Sequence, residues 1–111
     1  TRAAGWTAAM RYMLTAEEFD ADAALHMRLL TEVVAPGQTL ARAIEYAERI
    51  AKAAPLAIQA TLQSAFLAQD QGDDAALSKL DEQLLALIKT EDVREGVMAM
   101  MQKREPQFKG R

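Results

Sequence analysis

Apolar side chains recur every three or four positions along most of the chain, which is the spacing of one face of an α-helix. The pattern predicts about six helices joined by short connections, and no internal repeat is visible. Their expected ranges are 1–14, 21–27, 39–53, 56–71, 73–89 and a last helix from 91 to Pro106. The predicted fold class is therefore all-α, with the packing of a helical bundle.

Helix-capping and helix-breaking residues refine these boundaries. Asp20, Asp73 and Thr90 are the expected N-caps of the second, fifth and sixth helices, since a short polar side chain can accept a bond from a free amide of the first turn. Gly72 is the expected stop of the fourth helix, and Pro106 ends the last one.

One short stretch departs from the helical pattern. Residues 30–34 (LTEVV) are rich in β-branched side chains and run into the Pro36-Gly37 turn, which is typical of a strand. No second strand is predicted, and a lone strand leaves its backbone groups unpaired. The stretch is therefore either an extended loop or a strand whose sheet lies in a part of the protein that this chain lacks.

Charge is distributed unevenly along the chain. The formal net charge is −3, but residues 103–111 carry a local +3, so the remaining residues sum to −6. An acidic body disfavours nucleic acid, and a small basic end suits a compact anion better than a duplex. The alternative is a solvated tail whose charges only balance the end of the helix.

Composition excludes several other classes of protein. The chain has no cysteine, which rules out disulfides and cysteine metal sites and fits a cytoplasmic location. No apolar run approaches the roughly 20 residues that would cross a membrane. We therefore expect no membrane partner and no nucleic-acid partner.

Few residues could carry chemistry. His26 is the only histidine and has no ligand or catalytic partner at a suitable spacing, so we interpret it as structural. Glu91, Asp92 and Glu95 could hold a divalent ion, but acids at a helix start are better explained by capping and the helix dipole. No catalytic residue and no metal site is predicted.

Three methionines lie within four residues, at 98, 100 and 101. Methionine can line an adaptable pocket or partner surface, although core filling is the more common role and the one we expect. Lys103 and Arg104 come directly after them, and both side-chain types can bind phosphate. The last helix thus combines an apolar face with a basic end.

Several segments together resemble the crotonase (enoyl-CoA hydratase/isomerase) superfamily. The acidic motif EDVREGV and the tail after it are the most specific, and the segments keep the family's order and approximate spacing. They are 1–5 (TRAAG), 14–15 (LT), 23–24 (AA), 29–34 (LLTEVV), 47–51 (AERIA), 54–55 (AP), 91–97 (EDVREGV) and 103–111 (KREPQFKGR).

The resemblance implies that residues 1–111 form one C-terminal helical domain after a catalytic core of ββα turns, which this chain lacks. Such helices pack trimers or hexamers, and the family acts on acyl-CoA thioesters. The oxyanion hole and the catalytic glutamates lie upstream in the family, so the chain alone is expected to be inactive. Coenzyme A would enter as part of the substrate, and no separate cofactor is expected.

The resemblance also implies one binding site in the last helix. A family lysine that contacts a CoA phosphate matches Lys103, and the aromatic residue that packs near the adenine matches Met100, which departs from the pattern. A second departure is Arg28, where the family usually has glycine. The expected function is thus assembly plus one wall of the CoA site in an enoyl-CoA hydratase. The alternatives are a free-standing helical interaction module, or a superfamily isomerase, dehalogenase or thioester hydrolase.

Overall fold

The computed structural model describes residues 2–111, and its described part contains six helices and no strand. The helices are α1 (Gly5–Thr15), α2 (Ala21–His26), α3 (Thr39–Ala51), α4 (Pro55–Gln71), α5 (Asp73–Ile88) and α6 (Glu91–Gln102). The all-α prediction is confirmed. Residues 30–34 form neither a helix nor a strand within the described chain.

The chain divides into two compact units, Thr1–Ala43 and Ile44–Arg111. In the first unit, the carboxylate of Asp20 accepts a hydrogen bond from the Ala23 amide at 2.8 Å, as predicted for the N-cap of α2. Side-chain contacts stabilise the connection between α1 and α2. Arg11 pairs with Glu17 at 2.8 Å, and the Tyr12 and Phe19 rings lie 4.9 Å apart.

Helix α2 ends in a left-handed turn at Arg28, whose φ is 61°. The Leu29 amide donates to the Ala24 carbonyl at 2.9 Å across this turn, which satisfies a carbonyl at the helix end. Glycine adopts the left-handed conformation without a steric penalty, whereas arginine does not. At position 28, where the family usually has glycine, this chain therefore places arginine in a backbone conformation that favours glycine.

In the second unit, α4 packs against α5, and α5 contacts α6. Gly72 ends α4 and is also the N-cap of α5, with a φ of 92°. Asp73 is already the first residue of α5, and no side chain caps that helix, so the predicted Asp73 cap is wrong. The reason is that Gly72 makes the whole connection by itself, which leaves no residue between the two helices for a capping side chain.

Most large apolar side chains of the described residues stay on the surface. The buried apolar residues are the three alanines Ala24, Ala76 and Ala99, and no large side chain is fully buried in this part of the chain. The stripes predicted to face inward on α3, α4 and α5 remain exposed, for example Leu40 at 72%, Phe66 at 60% and Leu77 at 63%. These helices carry more apolar surface than the described chain covers.

Candidate functional site at the end of helix α6

Helix α6 starts at the residue that the sequence predicts. The Thr90 hydroxyl accepts a hydrogen bond from the Val93 amide at 3.2 Å and donates one to the Leu87 carbonyl at 2.7 Å. This N-cap satisfies one of the free amides of the first turn and links α6 to the end of α5. Glu91 and Asp92 lie in the first turn, where negative charge complements the helix dipole.

The other end of α6 differs from the prediction. The helix stops at Gln102, before Pro106, because Lys103 adopts the left-handed conformation with a φ of 52°. The Arg104 amide then donates to the Ala99 carbonyl at 3.0 Å, and the Lys103 amide donates to the Met100 carbonyl at 3.2 Å. These bonds close the helix and turn the chain back, so Pro106 lies in the tail and does not end the helix.

Glu95 holds the first part of this tail, which we define as residues 103–111. Both of its carboxylate oxygens accept hydrogen bonds from the Arg104 guanidinium, one of them at 2.8 Å, and Oε1 also accepts from the Gln107 amide at 2.8 Å. The Arg104 hydrogen bonds, and after them that of Gln107, lower the pKa of Glu95 to about 2. Folding thus lowers this pKa from its ordinary value of 4.5, so the stabilisation is complete above pH 4.5 and is lost as the pH falls toward 2.

Asp92 holds the second part of the tail. It is 3% exposed, and its two carboxylate oxygens accept hydrogen bonds from the Lys109 amide at 2.7 Å and the Gly110 amide at 2.8 Å. Its own amide donates to the Arg111 carbonyl at 3.1 Å. The tail therefore runs back along α6 to its first turn and is bound to the helix. It is not a freely solvated end.

Apolar contacts accompany these bonds. The Phe108 ring lies against Gly96, where an added methyl group would be 3.5 Å from the ring, and Gly110 is similarly close to the Pro55 side chain. Ala99 is 1% exposed and occupies an inner position of α6. The covered face of α6 therefore consists of Asp92, Gly96 and Ala99, which lie three to four positions apart.

The methionines of α6 lie elsewhere. Met98, Met100 and Met101 are 51%, 74% and 76% exposed, so the expectation that they fill the core is wrong for this chain. The tail covers the face that carries the small residues Gly96 and Ala99, and the three methionines remain exposed around it. Met100 and Lys103, the two predicted binding residues, both lie on exposed surface at the end of α6, three positions apart.

The four basic residues of the tail are not equivalent. The fork of Arg104 is occupied by Glu95, and Arg111 pairs with Glu91 at 2.9 Å. Within residues 2–111, the ammonium group of Lys103 makes no hydrogen bond or ion pair. Of the adjacent pair Lys103 and Arg104, only Lys103 offers an uncommitted positive charge.

The acids Glu91, Asp92 and Glu95 are predicted from the sequence to be capping and dipole residues. That role fits their place at the helix start, but it omits the tail-binding role of Asp92 and Glu95. One observation in the sequence could have revealed it. Asp92, Glu95, Gly96 and Ala99 share a helical face, and two acids on a face with small residues indicate that backbone approaches there.

No other part of the described chain offers a stronger site. His26 lies at the end of α2 and lines a cleft of about 770 Å³ between α1 and α2, together with Trp6 and Asp22. No group of three potential metal ligands occurs among residues 2–111. None of the helices described is long and apolar enough to cross a membrane.

The family model and the related proteins that match this chain all point to the same family. The family model for enoyl-CoA hydratase/isomerase matches residues 1–111. The chain is 40% identical over 111 residues to the (E)-benzylidenesuccinyl-CoA hydratase of Thauera aromatica, covering 98% of this chain and 43% of that protein. It is 34% identical over 110 residues to the 2,3-dehydroadipyl-CoA hydratase of Escherichia coli K12, covering 99% of this chain and 43% of that protein.

Solved structures agree with these relatives. A probable enoyl-CoA hydratase/isomerase from Mycobacterium abscessus superposes with a TM-score of 0.94 at 43% identity, covering 99% of this chain and 43% of that chain. The enoyl-CoA hydratase of Bacillus anthracis superposes with a TM-score of 0.91 at 27% identity, covering 99% and 43%. The chain thus spans less than half the length of the proteins it matches.

Proposed function

Since the chain belongs to the enoyl-CoA hydratase/isomerase family, we propose that it is the C-terminal helical part of an enzyme that hydrates enoyl-CoA thioesters. The observation that carries the proposal is the match of the family model to all 111 residues, combined with coverage of only 43% of the hydratase relatives. A match over the whole chain favours this function over a free-standing interaction module. The catalytic core of ββα turns would precede these residues, and we expect the chain by itself not to turn over crotonyl-CoA.

The first role proposed for this part is assembly. The leucines and other large apolar residues of α3, α4 and α5 face solvent, and burial of apolar area is the main favourable term in protein association. These faces would pack against the rest of the enzyme and against other copies of it. The assembly would be a trimer or a hexamer of the full-length protein.

The second role is one wall of the CoA site. Lys103 would contact a CoA phosphate, and Met100 would lie near the adenine. The uncommitted ammonium group of Lys103 supports the phosphate contact, because a charge that has no internal partner is available to an anion. Met100 is exposed on the preceding turn and offers a flexible, polarisable side chain in the place of an aromatic ring.

The test is the substitution Lys103→Ala in the full-length protein, with the Kd for coenzyme A measured by calorimetry. A hydrogen bond to a charged group contributes about 1.5–3 kcal/mol, so the Kd should rise by about 10- to 100-fold at low salt. The effect should shrink between roughly 0.01 M and roughly 1 M salt, where the Debye length falls from about 30 Å to about 3 Å. Loss of affinity that is independent of salt would instead indicate a packing role.

A matched control is Lys79→Ala. Lys79 forms an exposed ion pair with Glu82 on α5 at 3.2 Å, so its substitution removes the same charge from the same unit. This variant should bind coenzyme A with the parent's affinity. Equal weakening in both variants would show that net charge, and not a contact at Lys103, controls binding.

A further inference from the structure

Two carboxylates of α6, Glu95 and Asp92, have no part in the proposed CoA contact. Glu95 binds the guanidinium of Arg104 and the amide of Gln107, and the buried Asp92 binds the amides of Lys109 and Gly110. The Glu95 bonds hold the first part of the tail, directly after Lys103, and the Asp92 bonds hold its last residues. All of these bonds join the tail to α6, so their function is sought in their effect on the tail.

Lys103 directly precedes the part of the tail that Glu95 holds. Its left-handed conformation is sterically unfavourable for a non-glycine residue, and it persists only where surrounding bonds offset that cost. The bond from Arg104 to the Ala99 carbonyl spans the turn, and the paired guanidinium of Arg104 fixes the next residue on the far side. Without the carboxylates, the backbone bond from Arg104 to Ala99 would remain, but the tail after it would no longer be held against α6.

The charge of Glu95 has a second effect. Lys103 and Arg104 are adjacent, and both could approach an anion. Because Glu95 accepts from both terminal nitrogens of Arg104, the guanidinium is neutralised and held against α6. Lys103 is then the cation left available at this corner.

We propose that Glu95 and Asp92 are positioning residues, which hold the tail against α6 and thereby fix the direction in which Lys103 presents its ammonium group to a CoA phosphate. The inference rests on the proposed function, since it requires that Lys103 contacts coenzyme A. Neither carboxylate touches the ligand. Their effect on binding passes through the conformation of residue 103.

The experiment uses the full-length protein and four variants: Glu95→Ala, Lys103→Ala, the double variant and Glu82→Ala. Glu82→Ala is the matched control, because it removes a carboxylate from an exposed ion pair on α5. The Kd for coenzyme A is measured by calorimetry at low salt. Hydrogen exchange is measured at the tail amides that donate to Glu95 and Asp92.

We expect Glu95→Ala to raise the Kd by about 3- to 10-fold, less than Lys103→Ala, because the ammonium group remains but loses its fixed direction. The tail amides should exchange at least about tenfold faster, while Glu82→Ala changes neither quantity. The double variant should bind no more weakly than Lys103→Ala alone. This non-additivity is the specific mark of a residue that acts through Lys103.

Each other outcome has a distinct meaning. If Lys103→Ala weakens binding and Glu95→Ala does not, the positioning role is wrong and the proposed CoA contact stands. If Lys103→Ala leaves the Kd unchanged, the CoA contact is wrong, and the positioning role is wrong with it. Additive losses in the double variant would show that Glu95 acts on binding by some route other than Lys103.

Glu95→Gln provides a second variant in case the alanine substitution prevents folding. Glutamine keeps the length of the side chain and an oxygen that can accept from Gln107, but it cannot neutralise Arg104. Its Kd and exchange rates should lie between those of the parent and those expected for Glu95→Ala. Parent-like values for both quantities would overturn the proposal.

Discussion

The tail and the leucine stripe of α5 lie in the same unit, but only the tail finds its partners there. Two carboxylates of α6 accept hydrogen bonds from the Arg104 guanidinium and from the backbone amides of residues 107, 109 and 110. By contrast, Leu77, Leu80 and Leu84 of α5 are 63%, 48% and 52% exposed. The polar groups of the tail are thus paired within the chain, whereas the leucines of α5 are exposed to solvent.

The difference arises from the kind of interaction that each region uses. A hydrogen bond is directional, so a buried carboxylate such as Asp92 stabilises only an arrangement in which its donors are in place. Apolar burial is non-directional and can be supplied by any surface of suitable shape. The tail therefore finds its partners within the chain, whereas the apolar stripe of α5 stays exposed in the described residues.

The largest effect expected in this comparison is that of Asp92→Ala on the tail. The substitution removes the acceptors of two amides in a buried place, and hydrogen bonds to a charged group contribute about 1.5–3 kcal/mol each. The free energy of local opening, measured by hydrogen exchange at Lys109 and Gly110, should fall by about 2–4 kcal/mol. Asp92→Asn keeps one acceptor oxygen and should lose less. Unchanged exchange in both variants would mean that the Glu95 bonds and the packing of Phe108 hold the tail without Asp92.

A smaller effect, of opposite sign, is expected from Lys103→Gly. Glycine adopts the left-handed conformation without the steric cost that lysine bears, so the tail should be stabilised by roughly 1 kcal/mol relative to Lys103→Ala. The measurement is again hydrogen exchange of the tail amides. Alanine is the appropriate reference, because both variants lack the ammonium group. Faster exchange in the glycine variant would show that the turn is not under backbone strain.

The smallest effect on stability is expected from Leu77→Gln on α5. Because Leu77 is 63% exposed, its substitution should change the free energy of unfolding of the isolated chain by less than about 0.5 kcal/mol. Its effect on self-association, measured by light scattering, should be a clear decrease. Leu87→Gln is the control, since Leu87 is half-buried and should cost more stability. A large loss of stability in Leu77→Gln would show that the α5 stripe, like the tail, is stabilised by contacts within the chain.

Much of the helical framework could be predicted from local patterns. Asp20 and Thr90 cap the helices as expected, and the ends of α4 and α5 lie within one residue of the predictions. Two of the errors concern the cap of α5 and the end of α6. Gly72 ends α4 as predicted, but it is also the N-cap of α5 in place of Asp73. Lys103 ends α6 before Pro106 through its positive φ, and the tail bonds that accompany this turn are not specified by local residue types.

The site could be predicted only in part. Lys103 and Met100 are predicted through a resemblance to a family, and the structure places both on exposed surface at the end of α6. The tail-binding role of Asp92 and Glu95 is absent from that prediction. An acid at a helix start has a sufficient local explanation. The small residues on the same face, Gly96 and Ala99, indicate that backbone approaches there, but they do not indicate which segment it is.

The sequence by itself therefore determined the helices, most of their caps and the family of this protein, because each depends on residue types at fixed spacings along the chain. Only the tertiary structure decided which carboxylates bind the tail and which cation of the pair Lys103 and Arg104 remains uncommitted. The bonds from Lys109 and Gly110 to Asp92 join residues 17 and 18 positions apart. Contacts over such separations depend on the path of the whole chain between them, and helical periodicity carries no information about that path.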